Sequence, residues 1–267
     1  MPGLLGRMFQ PKWALALRVV PLVAAVLALK FLAHTFRLEF LSLSPIFTAI
    51  ISANIFLIGF LITGVLSDYK ESEKLPGDMA CSLEAIRDEG LILRAAGRRE
   101  ESSALLASVT DIAGAMLAWF RRKERTSALM EKISGLNADF LALEKATQPN
   151  FITRLKQEQH QLRRMITRVH TIRETSFSEA GYAIAEIITF ILSLGLIFVR
   201  IDPFYESVFF VAFVAFMLIY MVLLIKDLDN PFDYCGDGAV SEEVSLKPLE
   251  DFYARASAPT DTIKEGN

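Results

Sequence analysis

The chain has 267 residues, of which 52% are apolar and 22% charged, with 20 phenylalanines and a mean hydropathy of +0.37. That apolarity excludes an ordinary soluble domain and points to a membrane protein. The net charge of −3 is close to balance and gives no basis for a nucleic-acid partner.

The first apolar segment, residues 14 to 33 (ALALRVVPLVAAVLALKFLA), carries Arg18 and Lys30 near its ends, where long basic side chains can snorkel to the headgroups. Pro21 is expected in the first turns of this helix, where proline does least harm. A signal peptide is the alternative. The long basic leader, the lack of a small-x-small cleavage site and Lys30 argue against it.

Residues 41 to 67 contain no Asp, Glu, Lys or Arg, and neither do residues 207 to 225. A span needs roughly 20 apolar residues to cross about 30 Å of hydrocarbon, and both qualify. Residues 180 to 199 form another span, interrupted only by Glu186. The expectation is therefore four transmembrane helices.

Residues 68 to 179 read as helical throughout. Leu105, Leu106, Val109, Ile112, Ala113, Met116, Leu117 and Phe120 fall at helical spacing over residues 102 to 123. Residues 150 to 175 carry a near-heptad stripe of Ile152, Leu155, Leu162, Ile166, Val169 and Ile172, interrupted by Gln159. Gly97, the stretch from Gly135 to Asn137 and the stretch from Gln148 to Asn150 mark the expected loops. A helical bundle results, continuous with spans 2 and 3, and its stripes serve either packing within the chain or contact between subunits.

Most of the 28 basic residues lie in this segment, with Lys70, Lys74, Arg168 and Arg173 close to span ends. The positive-inside rule places the segment, both termini and the tail in the cytoplasm of a multi-pass cell-membrane protein. The predicted organisation is residues 1–67 (tail and spans 1–2), 68–179 (cytoplasmic helices), 180–226 (spans 3–4) and 227–267 (acidic tail). The last dozen residues are expected to be disordered. Cys81 and Cys235 fall on the cytoplasmic side, where thiols stay reduced.

The chemistry of catalysis is thin. The three histidines, His34, His160 and His170, form no i, i+4 pair, and there is no HExxH, CxxC, P-loop, GxGxxG or GxSxG. Nothing in the sequence points to an enzyme.

Span 2 is the informative element. Ser52, Phe56, Phe60 and Thr63 lie on one stripe at steps of four, four and three, with Gly59 and Gly64 nearby to let backbones approach. Such a stripe can face lipid, a neighbouring helix or a pore. Around an axis, the two phenylalanines would form stacked apolar rings that gate by dewetting. Asn54 offers either a polar contact to a passing ion or an interhelical hydrogen bond. Glu186 is costly inside a span, by about 2.5 to 3.5 kcal/mol. It either pairs with a base such as Arg18, tunes conduction or sits at the interface. Asp229 or Asn230 before Pro231 is turn chemistry that ends span 4, with Phe232 packing the turn.

The run FLIGFLIT (residues 56–63), a charged stretch and Leu75–Pro76 together resemble the second transmembrane helix of the bestrophin family. The segment DLDNPFDYCGDG (residues 227–238) resembles the Asn-Pro-Phe and acidic cluster after the last bestrophin span. The resemblance implies an all-α, homopentameric channel, mainly anion-conducting, with Phe56 and Phe60 lining a narrow neck. Ser52 and Thr63 flank them on the same stripe, and Ser52 departs from the family, where that position is often large and apolar. It also implies a bilayer, permeant inorganic ions and further copies of the chain as partners. In animal bestrophins the acidic cluster helps hold calcium. Here it is thinned to Asp233 and Asp237, far from the 6–8 oxygens calcium takes. The family's tryptophans after span 2 are replaced by Asp68, Tyr69 and Lys70. The alternative function is a non-conducting scaffold or signalling protein acting through the 152–172 face.

Overall fold

The structure, a computed structural model, describes residues 11–144, 147–174, 179–229, 231, 232, 234 and 243–258. Its helices are α1 (Pro11–Thr35), α2 (Pro45–Ala95), α3 (Arg99–Phe120), α4 (Thr126–Glu144), α5 (Pro149–Glu174), α6 (Glu179–Phe198), α7 (Phe204–Asp229) and α8 (Lys247–Ser257). Two two-residue strands, β1 (Leu41–Ser42) and β2 (Val199–Arg200), pair in parallel and are the departure from an all-helical chain.

The chain divides into two compact units. The first holds α1, α2 as far as Tyr69, α6 and α7, with a core of Ile58, Leu61, Val65, Ala185, Leu192, Leu218, Ile225 and Leu228. Here α6 crosses α2 closely. A Cβ added at Gly195 would lie 2.7 Å from the Phe47 ring, so any larger residue there would force that ring to shift.

The second unit holds α2 from Lys70, α3, α4, α5 and α8. Its buried stripes include Leu105, Val109, Ile112 and Met116 on α3, and Leu155, Leu162, Ile166 and Val169 on α5. Gln159, the polar break in the α5 stripe, is buried and donates to the Ile133 carbonyl at 2.7 Å and to Asn137 Oδ1 at 3.0 Å. The bonds offset the cost of burying its amide. Arg168 grips Glu71 through two hydrogen bonds of 3.0 and 2.6 Å, which hold the Glu71 carboxyl below its ordinary range.

Several local expectations change. Helix α1 starts at Pro11, which puts Pro21 in its interior. Proline is tolerated inside membrane helices, where neighbours re-satisfy the freed carbonyl. Gly135 to Asn137 are not a loop; they lie inside α4, because Leu129, Ile133, Leu136, Phe140 and Leu143 make one buried stripe through them. That burial outweighs the cost of about 1 kcal/mol for a helical glycine. The polar tail contains α8, an amphipathic helix that buries Leu249 and Phe252, with Pro248 at its start. By length and composition alone, five described helices are able to cross a membrane, the four expected spans and α3. The fifth, α3, has half of its apolar window buried among the helices of its own unit.

Candidate pore face and polar clusters

Helix α2 has two contrasting faces in the first unit. Asn54, Ile58, Leu61 and Val65 are buried, at helical steps of four, three and four. Ser52, Phe56, Phe60 and Thr63 are exposed, with Phe56 78% and Phe60 66% accessible. The hydroxyls on this outer stripe bond their own backbone: Ser52 Oγ to the Thr48 carbonyl at 3.0 Å and Thr63 Oγ1 to the Gly59 carbonyl at 2.9 Å. Such back-bonding lets them sit in an apolar helix at low cost. A Cβ placed on Gly59 would meet nothing within 4 Å, so in the protomer the close helix approach falls at Gly195 and not there.

Asn54 does not share the stripe. Its Nδ2 donates to Thr189 Oγ1 at 3.0 Å in a buried contact, and it is 1% accessible. Of an ion contact and an interhelical hydrogen bond, the latter describes the position of this amide. Glu186 is paired, and its partner is Lys226, at 2.5 Å, rather than Arg18. Both charges are about half exposed, because Lys226 lies in the last turn of α7.

A second polar cluster, with no signal in the residue spacing, lies at the other end of the spans. Lys30, fully buried, donates to Glu39 Oε1 at 2.5 Å and to the Val199 carbonyl. Glu39 also meets His34 Nδ1 at 2.9 Å, and the His34 ring stacks on Phe204 at 3.8 Å. Burial would raise the Glu39 carboxyl; the bonds and charges of Lys30 and His34 outweigh it and hold the group below its ordinary value. Lys30 therefore serves as an internal tie, where its sequence position suggested a snorkelling anchor.

At the tail, Asp229 closes α7 and Pro231 is buried. Phe232 is fully buried in the second unit, 5.7 Å from the Phe120 ring. Arg173 lies over Trp119, Phe120 and Phe232 and donates to the Trp119 and Phe120 carbonyls that end α3. A guanidinium there satisfies the free carbonyls of a helix C-terminus and complements its dipole. Asn230, Asp233, Cys235 and Asp237 lie outside the described residues, and the calcium question lies there with them. Among the described residues no group of three or more His, Cys, Asp or Glu side chains could hold a metal ion.

No family model matches the chain. No curated protein sequence matches it either. Solved structures do. The chain superposes on an isoleucine-to-alanine variant of a bacterial bestrophin homologue from Klebsiella pneumoniae with a TM-score of 0.75 at 11% identity, covering 94% of this chain and all of that one (100%). A tyrosine-to-alanine variant of the Klebsiella pneumoniae homologue gives a TM-score of 0.70 at 14% identity, over 90% of this chain and 97% of the other. A crystal structure of a membrane protein with a proline-to-alanine change gives 0.72 at 14% identity, over 90% and 97%. The chain thus has a bestrophin-like fold. That fold, with its long apolar helices, supports a membrane location.

Proposed function

We propose that this chain is the subunit of a homopentameric, anion-conducting channel with four spans per copy and both termini in the cytoplasm. The observation that carries the proposal is the uncharged, exposed stripe Ser52, Phe56, Phe60 and Thr63 on a helix whose opposite face is buried. A bestrophin-like fold supports the same reading. Around a five-fold axis the stripe forms the neck. Phe56 and Phe60 make two apolar rings that wet only transiently and so restrict flow. Ser52 and Thr63 are the flanking hydroxyls. The positive edges of aromatic rings favour an anion weakly, so selectivity rests on a small margin.

Asn54 and Glu186 act on the neck from behind, by fixing the rotation and depth of the helices. The scaffold alternative loses its proposed contact face, since Leu155, Leu162, Ile166 and Val169 are buried within the chain's own helical unit.

Single cysteines test the reading, introduced into a Cys81→Ser/Cys235→Ser protein. A charged thiol reagent should block current through Phe56→Cys and Thr63→Cys and leave Leu61→Cys untouched. Equal reactivity at all three positions would contradict a pore on this face.

A further inference from the structure

An open cavity of about 340 Å³ runs along the surface of the first unit, walled by α1, α6 and α7 through residues that include Leu22, Ala25, Leu29, Phe190 and Val222, of which Leu22, Leu29 and Phe190 are exposed. Its volume is at the small end of the roughly 300–1,000 Å³ typical of ligand sites. Thr189 and Ser193 also line it, and each hydroxyl already has one partner. Thr189 accepts from Asn54, and Ser193 donates to the Thr189 carbonyl at 2.8 Å. A bound water needs two to four polar partners, and apart from Glu186, Thr189 and Ser193 these walls are apolar.

The dimensions name an occupant. Along α6 the lining runs from Glu186 to Ile197, about 16 Å at 1.5 Å per residue. That is about half of the ~30 Å hydrocarbon thickness, the depth of one leaflet. At one end stands the half-exposed Glu186–Lys226 pair, 2.5 Å apart. An adjacent carboxylate and ammonium together match a zwitterionic headgroup, whose phosphate meets Lys226 and whose amine meets Glu186.

We infer that the α1–α6–α7 cavity is a binding site for one phospholipid, with an acyl chain in the cavity and a zwitterionic headgroup on the Glu186–Lys226 pair. The inference rests on these helices lying in a bilayer, as the proposed function has it, and not on conduction. Lipid retention is read without current, so its failure leaves the channel reading standing.

The test is native mass spectrometry of the full chain, extracted in mild detergent and equilibrated with equal phosphatidylethanolamine and phosphatidylglycerol. The expected result is one retained phospholipid per chain, predominantly phosphatidylethanolamine. Ala25→Trp, which fills the cavity, should lower retention by about tenfold. Val20→Trp, on the same helix but away from the cavity, should not, and both variants should keep the wild-type circular dichroism. Glu186→Gln leaves Lys226 unopposed and should shift the preference towards phosphatidylglycerol. Equal retention by Ala25→Trp and Val20→Trp would overturn the inference. So would an oligomer-size change in Ala25→Trp with lipid unaffected, which would assign the face to another copy of the chain.

Discussion

Asn54 and Thr189 meet through a buried 3.0 Å hydrogen bond that ties α2 to α6. The bond fixes the rotation of α2: with Asn54 inward, the Phe56–Phe60 stripe can only point away from the protomer core. A double-mutant cycle of Asn54→Ala and Thr189→Ala, read by reversible unfolding in mixed micelles, should give a coupling energy of about 0.6 to 2 kcal/mol. Additive single effects would show that the bond does not set the rotation.

The Glu186–Lys226 pair gives a second prediction. Both side chains are about half exposed, so the pair should contribute no more than about 1 kcal/mol. Glu186→Gln should destabilise by that much, and the exchange Glu186→Lys/Lys226→Glu should recover most of it. A thermal melt of the three proteins in detergent checks this.

Acid should weaken the Lys30–Glu39–His34 cluster. Glu39 is held below 4.5 in the fold, so the unfolded chain takes up its proton at higher pH than the folded one. Its contribution is therefore complete above the ordinary carboxylate value and is lost as pH falls through the folded value. Between about pH 6 and pH 3 the wild-type melting temperature should drop more steeply than that of Glu39→Gln. Parallel curves would contradict the sign.

Phe232 should matter for stability out of proportion to its place just past the last span. It is fully buried against Phe120 and Arg173, so Phe232→Ala should cost about 3 kcal/mol. Pro231→Ala together with Phe232→Ala is expected to loosen the assembly, measured as a shift in oligomer size at limiting detergent dilution.

How much of this was readable in the sequence follows from what each signal depends on. The charge-free stretches at 41–67 and 207–225 are local facts, and α2 from Pro45 and α7 run through them. The α5 stripe was legible because helical periodicity is local too, and its Gln159 looked like a defect until the Ile133 carbonyl supplied a partner. Partners distant in sequence were hidden. Lys30 meets Val199 across 169 positions and Asn54 meets Thr189 across 135. No spacing rule reveals either, and Lys226 as the partner of Glu186 is hidden for the same reason. Helix α8 was missed for a different reason. Its polar composition resembles disorder, and only two buried side chains, Leu249 and Phe252, hold it down. The FLIGFLIT resemblance worked because it carried three-dimensional knowledge that periodicity lacks.

The most direct measurement is the reversal potential of the purified protein in a planar bilayer under a chloride salt gradient, with Phe56→Ala/Phe60→Ala alongside. The account predicts a current reversing near the chloride potential, with conductance raised in the double variant because its neck is wider and easier to wet. A folded oligomer that stays silent in both forms, or a current indifferent to the two phenylalanines, would contradict a pore on this face of α2.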